Sequence, residues 1–397
     1  MSCRDWSRSV CASFVALTLA AAWMPAQRRG AFPGGTNPDG SLRPSAPLTR
    51  LFTQDAYTEY EILAPGTEQF RIRFLPEETR VGATELVNTT RGGSEGSDIE
   101  VYDPRTGKPL KFTYQQDGSD PENHAIRATL PFPVPEGGIG RVLIYKTYRD
   151  ARTYMMQGDD LVWVRSLSGY RLGVILPLGF AFTSSNVAAQ LTTLADGRLK
   201  LAFANPSGQS NPLTIHAHKA TAKFAPATYT DMFFDDMKTL YDLDAPETHG
   251  MRIEQIYSDY RKGDRARLDS LAYLPLENWK VTDLDTAKEL PSEKQGQATV
   301  VNLEAPIVDD RQSAHLKITG SLRDAGYKVQ NGDLVFDRTL RGLRNTVLLP
   351  AGWEVAAVSQ SATLGAHEGR GFVALINLNG ENSYRVTIHA RKSGGNR

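Results

Sequence analysis

From about Tyr57 onward, apolar and polar positions alternate with a period of two through many short runs. Leu199, Leu201 and Phe203 share one face, with Lys200 and Ala202 on the other. Leu213, Ile215 and Ala217 oppose Thr214, His216 and His218, and Val386, Ile388 and Ala390 oppose Arg385, Thr387 and His389. Strands with one polar face build antiparallel sheets that pack on one side and meet water on the other. Turn signals separate the runs: Asp103-Pro104-Arg105-Thr106-Gly107, Pro135-Glu136-Gly137-Gly138, Asp196-Gly197 and Asn331-Gly332. The pattern predicts an all-β protein built as a sandwich or barrel.

The chain also nearly repeats itself. RDARTYMMQGDDLVWVRSLSGYRLGVILPLGF, from Arg149, is answered by RDAGYKVQNGDLVFDRTLRGLRNTVLLPAGW, from Arg323. Both stretches close alike, Leu213 to Lys219 matching Val386 to Lys392. Weaker matches lie upstream, Val101 to Leu110 against Val281 to Leu290, and Phe70-Arg71-Ile72 against Met251-Arg252-Ile253. We read two tandem β-sandwich-like halves related by internal duplication, 55–220 and 246–393. The second copy is an internal control. Packing and turn positions recur across a duplication, whereas a catalytic centre built in one copy has no reason to.

Between the halves, in the linker 221–245, the spacing of Met232, Phe233, Met237 and Leu240 predicts a short helix from about Thr228 to Leu243. Thr228 or Thr230 would cap it, and Asp244-Ala245-Pro246-Glu247 would end it.

The N-terminus changes the picture of where the protein works. Arg4 and Arg8 precede an apolar run from Val10 to Met24, with Ala20, Ala22 and Ala26 as small residues for cleavage. Residues 1–26 read as a signal peptide, the run being short of the roughly 20 residues a membrane span needs. A polar, Gly- and Pro-rich stretch, 27–54, reads as a flexible leader. Both cysteines, Cys3 and Cys11, fall in the signal, so the mature chain holds no disulfide and no thiolate site. A periplasmic or secreted bacterial protein with no integral membrane segment after signal removal is expected. Lys plus Arg equals Asp plus Glu, 45 each, which gives no electrostatic footprint for nucleic acid.

Candidate chemistry is sparse. Gly92-Gly93-Ser94-Glu95-Gly96 fits the G-x-S-x-G of a nucleophile elbow, but the following text reads as a strand where the elbow needs a helix. His216 and His218 could present two imidazoles to a metal. Their equivalents are His389 and Arg391, so a polar strand end is the better reading. Asp231 and Asp235 share a face of the expected helix, the arrangement that carboxylate-based glycoside hydrolysis or calcium binding would use, although a solvated face explains it more simply. No cofactor and no metal are expected.

The repeat pairs Trp163 with Phe336 and Phe180 with Trp353, an exchange of rings that a core tolerates. Tyr170, paired with Leu343, and Trp279 are less constrained and are the first choices for a binding face, with Asp231 and Asp235. Polar residues kept in both copies point to structural hydrogen bonds or ion pairs: Arg149 and Arg323, Asp150 and Asp324, Arg165 and Arg338, Arg171 and Arg344.

Gly158-Asp159-Asp160-Leu161-Val162-Trp163-Val164-Arg165, Val174 to Gly179, Asp196-Gly197-Arg198, Asn205 and Ala64 to Ile72 together resemble uncharacterised exported bacterial β-rich proteins with no assigned activity. That resemblance implies architecture and export and transfers no catalytic residue. The functional expectation is a non-catalytic binding or scaffolding protein of the bacterial envelope, its partner an envelope protein or a cell-surface glycan. The alternative is a carbohydrate-active hydrolase using acids near the junction of the halves.

Overall fold

A computed structural model describes residues 56–90, 94–118, 124–167, 169–205, 210–220, 237–377 and 383–393. They are strands and turns; two short 3₁₀ turns, Pro246–Thr248 and Asp269–Ala272, are the helical elements among them. The first half's large sheet runs, in spatial order, Gln190–Thr193, Leu199–Ala204, Arg171–Ile175, Ala56–Ile62, Gln69–Glu78, Leu143–Arg149 and Glu95–Tyr102, with Gly140–Arg141 also paired to Gln69–Glu78. The second half's runs Thr363–His367, Arg370–Ile376, Arg344–Leu348, Met237–Leu243, Gly250–Asp259, Ala314–Arg323 and Glu277–Asp283, with Lys288–Glu289 at the edge. Strand for strand the order is the same.

The smaller sheets repeat too. Phe180–Ser185, Asn211–Lys219, Asp160–Leu167 and Tyr154–Gln157 form a four-stranded sheet, matched by Trp353–Val358, Ser383–Lys392, Asp333–Arg341 and Tyr327–Gln330. Glu85–Thr89, His124–Thr129 and Phe112–Gln116 form a three-stranded sheet, matched by Gly263–Leu268, Ala298–Ile307 and Ser292–Gln295. The duplication therefore covers each half from end to end, including the weakly matched upstream part. Register agrees: Ile62 pairs Phe70 as Leu243 pairs Met251, and Val101 pairs Ile144 as Val281 pairs Ile318. Two bulges recur as well, at Ser97/Glu100 and Glu277/Lys280, and at Phe182/Ser184 and Val355/Ala357.

The helix expected over 228–243 is corrected by this topology. Residues 228–236 lie outside the described residues, and Met237–Leu243 is a strand, antiparallel to Gly250–Asp259 and parallel to Arg344–Leu348. Thr239, Tyr241 and Leu243 are buried while Leu240 and Asp242 are half-buried, the period of a strand. The ready-made edges on both sides outweigh the helical spacing of Met237 and Leu240, since propensity is a weak prior. The second half thus begins at its counterpart of Ala56–Ile62.

In the first half the large and four-stranded sheets close on Tyr60, Ile62, Phe70, Ile72 and Tyr148 from one side and Tyr154, Leu161, Trp163, Phe180, Leu213 and Ile215 from the other. A separate cluster, with Leu86, Val101, Ile126, Ala128 and Ile144, lies under the three-stranded sheet. The second half has one continuous core in place of two, and Leu271, Leu274 and Leu276 belong to it. The exchanged rings sit where a core reading puts them: Trp163 and Phe336, Phe180 and Trp353 are all buried.

The halves meet through repeat-equivalent residues. A small cavity between them, of ≈ 20 Å³, is lined by Leu75 and Ile256, Glu77 and Ser258, Arg141 and His315, and Arg171 and Arg344. Each of these is a pair of counterparts, since Glu77 pairs Arg141 across its sheet as Ser258 pairs His315. The junction is thus pseudo-two-fold, as an isologous dimer interface is. Its central bond is the buried Arg141 fork on Asp285, Nε to Oδ1 at 2.6 Å and Nη2 to Oδ2 at 2.5 Å. Arg141 Nη1 also donates to Ser313 Oγ at 2.9 Å, and the Ile139 N–H to the Leu284 carbonyl at 2.9 Å. This contact explains why Arg171–Ile175 and Arg344–Leu348 are buried on both faces.

Candidate functional site

Duplication allows a subtraction. Where both halves keep a residue, the fold explains it; where one half opens and the other closes, a site is indicated. The retained Asp150 and Asp324 both tie a turn. Asp150 accepts from the Arg152 N–H at 3.0 Å and Thr153 Oγ1 at 2.9 Å, and Asp324 from the Gly326 N–H at 2.7 Å. Each also meets the retained arginine of its own half, Arg165 at 3.7 Å and Arg338 in direct contact. These are structural ion pairs, as retention implies.

The halves diverge where the three sheets of each converge. In the first half a cavity of ≈ 400 Å³ lies there. It is lined by Thr58, Tyr60, Ile72, Phe74, Lys146 and Tyr148 from the large sheet, and Asn88, Thr89 and Thr90 from the end of Glu85–Thr89. Arg165, Ser166 and Ser210 complete it. Its apolar lining is Tyr60, Ile72 and Tyr148 of one first-half core cluster, with Phe74, which packs against both clusters. In the second half the counterpart of Lys146 is Gly320, since Arg149 answers Arg323. Leu276 occupies the space: a Cβ added at Gly320 would stand 3.0 Å from the Leu276 Cβ. The segment 269–276 carries Leu271, Leu274 and Leu276 into the core, and the Tyr273 carbonyl accepts from Arg338 Nη2 at 3.2 Å. The corresponding first-half connection, 90–94, is shorter, and its Arg91-Gly92-Gly93-Ser94 holds no leucine.

Lys146 is the unusual group of the open half. Strand alternation puts it on the core face between Ile144 and Tyr148, and it is buried at 5% exposure. Among the described residues its amine donates to Asn88 Oδ1 at 2.6 Å and lies 4.9 Å from the Tyr148 ring centre and 5.9 Å from that of Phe74. No carboxylate pairs with it there. Burial, with the Arg165 charge adding to it, pulls its amine down to about 7. The Arg165 guanidinium is 5.7 Å from the same Tyr148 ring and 5.5 Å from that of Tyr60. The Lys146 amine and the Arg165 guanidinium therefore share one aromatic wall. Burial pushes the Tyr148 phenol up, so it stays a neutral hydroxyl. A ring-lined, hydroxyl-rich cavity with a buried amine suits a polar organic ligand held by hydrogen bonds and ring contacts.

A second cleft, of ≈ 360 Å³, lies on the outer face of the large sheet beside 309–311 of the other half. Its acids include Glu59, Glu61, Glu100, Asp309 and Asp310. Glu59 is bonded by Lys200 at 2.5 Å and Glu61 by Arg198. Burial pushes the Glu59 carboxyl up, but Lys200 and Arg73 outweigh it and hold it below its ordinary value. A glycosidase acid needs the opposite shift.

Of the residues singled out from sequence, Tyr170 and Trp279 line neither cleft. Tyr170 is half-buried at the junction of the halves, with the Arg344 guanidinium 4.3 Å from its ring centre. Trp279 is half-buried against the second core. Asp231 and Asp235 lie outside the described residues. Ser94 Oγ donates to Asp150 Oδ2 at 3.1 Å, and a strand follows it, not the helix an elbow requires. His216 and His218 are exposed on one strand face, with His218 Nδ1 2.7 Å from Asp160 Oδ1. Among the described residues no three His, Asp or Glu side chains gather in a way that could hold a metal ion. Lys146 was legible in part: the alternation Ile144, Lys146, Tyr148 places a lysine on an apolar face, opposite a glycine in the other copy.

No family model matches the chain, and no curated protein matches it. Among solved structures it is similar to a two-domain M1 zinc metallopeptidase bound to L-tryptophan, at 14% identity and a TM-score of 0.29, over 44% of this chain and 44% of that one. It is similar also to the M1 zinc metallopeptidase of Deinococcus radiodurans, at 12% identity and a TM-score of 0.29, over 48% and 43%. The chain spans less than half the length of these structures, and a likeness this slight carries no argument about activity.

Proposed function

We propose that the protein is an exported, non-catalytic binding module of the bacterial envelope whose ligand seat is the first-half cavity. One observation carries the reading: the same scaffold occurs twice, and the place that Leu276 fills over Gly320 in one copy is a cavity walled by Lys146, Arg165 and Tyr148 in the other. Burying a lysine without a carboxylate partner costs stability, and the second copy folds without it. Such a cost is expected at sites kept for function. The hydroxyls of Thr58, Thr89, Thr90, Ser166 and Ser210, the Asn88 amide and the flanking rings suit a sugar, which favours a cell-surface glycan over an envelope protein as partner. Export rests on the N-terminal signal pattern. Among the described residues no helix is long and apolar enough to cross a membrane.

The test is a thermal-shift panel of the mature chain against cell-wall oligosaccharides, monosaccharides and peptides. A ligand at about 100 times its dissociation constant raises stability by about 2.7 kcal/mol. The expected outcome is a saccharide hit in the wild type that is lost in Ser166→Trp, whose ring fills the cavity mouth. A hit that survives Ser166→Trp unchanged places the ligand elsewhere and overturns the reading.

A further inference from the structure

We propose that Lys146 captures its ligand covalently, closing an imine with the open-chain aldehyde of a reducing sugar seated in the first-half cavity. This rests on the reading of that cavity as the ligand seat. It adds the chemical class of the group recognised.

The geometry points to the amine first. Lys146 Nζ stands in a walled cavity, held by the Asn88 amide oxygen at 2.6 Å and backed by the Tyr148 ring. The other buried lysines differ in their surroundings. Lys200 Nζ is bonded to the Glu59 carboxylate at 2.5 Å, and Lys238 lies at the crowded junction of the halves. At Lys146 the neighbouring charge is a cation, Arg165, whose guanidinium shares the Tyr148 ring. A desolvated lysine beside another cation is the setting in which an amine becomes a nucleophile at neutral pH. The low proton affinity of this amine agrees with that setting. Donation of one N–H to Asn88 leaves the nitrogen lone pair off that axis and available to the cavity.

The remaining wall selects the electrophile. Five serine and threonine hydroxyls, two tyrosine hydroxyls and one amide line the cavity, a surface suited to a polyhydroxylated molecule. The electrophilic carbon of a simple sugar is its reducing-end carbonyl. In the step, the Nζ lone pair forms the C–N bond while the C=O π pair moves to oxygen, which takes a proton from nitrogen. The C–O bond of that carbinolamine then breaks. The carbonyl oxygen and both amine protons leave as one water, and the C=N bond remains. No electron is gained or lost, and no co-reactant is required. Water re-enters to release the sugar, so capture is reversible and the protein turns nothing over.

The test is reductive trapping on the full mature chain. The protein is incubated with D-xylose and cyanoborohydride at neutral pH, and modified lysines are mapped by peptide mass spectrometry. Lys146 should be labelled about tenfold or more faster than exposed Lys262 and Lys280. Excess xylitol, which has the hydroxyls without the carbonyl, should slow labelling at Lys146 and leave Lys262 unchanged. Labelling of Lys146 no faster than Lys262 overturns the capture. If xylitol and xylose still raise the melting temperature of the wild type, the binding seat stands without it. If neither does, the seat falls as well. Because the rate comparison is internal to the wild type, it does not depend on whether a Lys146 variant folds.

Discussion

At the residue scale, Lys146 shows a scaffold carrying a group it would fold better without. In the unfolded chain the amine keeps its proton to about pH 10.4, whereas in the fold burial and Arg165 release it near 7. Between those values the unfolded state binds more protons, so the stability tied to this group rises with pH and is lowest below about 7. Lys146→Met keeps the length of the side chain and removes the charge. It should stabilise the protein by about 1–3 kcal/mol at pH 6, and the gain should shrink toward pH 9.5. Melts of both proteins at the two pH values check this; an equal gap at both would show that the amine is not desolvated. The signal in the sequence was a lysine in step with Ile144 and Tyr148 on an inward face. Alternation marks a face by its apolar members, and Lys146 and Gly320 stand just before the strong match that opens at Arg149 and Arg323, so neither signal singles out the lysine.

At the element scale, the connection before Glu95–Tyr102 and its counterpart before Glu277–Asp283 set the open half apart from the closed one. Residues 269–276 bring Leu271, Leu274 and Leu276 under the large sheet, and 90–94 have no counterpart to them. Leu276→Ala should cost about 2–4 kcal/mol, the price of a cavity among side chains that collapse only in part. Denaturant unfolding measures it, and a loss under about 0.5 kcal/mol would mean that Leu276 does not plug the second half. The strands themselves were legible from alternation and turn chemistry, even to the equivalence of Val101 with Val281. The exception is instructive. Met237 and Leu240 have helical spacing with Met232 and Phe233, but Met237–Leu243 also alternates, and the open edges of Gly250–Asp259 and Arg344–Leu348 decide for a strand. Spacing within a segment cannot report partners a hundred residues away. The same distance hid the site, because its walls come from Asn88, Lys146 and Arg165, far apart in sequence and joined only by pairing.

At the scale of the whole molecule, the halves are joined as two copies of a dimer are, counterpart facing counterpart, with symmetry broken at Arg141 and His315. Arg141 finds Asp285 where its counterpart approaches Glu77 at 3.8 Å. Arg141→Met or Asp285→Leu alone leaves a buried charge without its partner and should cost about 3–5 kcal/mol. The double variant should recover most of that loss, and a double-mutant cycle by chemical denaturation gives the coupling. Additive losses would show that the fork is not desolvated. The duplication therefore fixes the scaffold, and the halves differ in how the space where their sheets converge is filled. Fold and duplication could be read from the chain, whereas the asymmetry between copies, on which the proposed ligand seat rests, required the packed structure.

If the ligand seat lies in the first half and its counterpart is closed, a bound ligand protects one half and leaves the other unchanged. Hydrogen-exchange mass spectrometry with the saccharide found by thermal shift tests it most directly. We predict slowed exchange in Glu85–Thr89, Leu143–Arg149 and Asp160–Leu167, with no change in Gly263–Leu268, Ala314–Arg323 or Asp333–Arg341. Protection in the second set, or confined to the junction around 309–313, would place the ligand outside the first-half cavity.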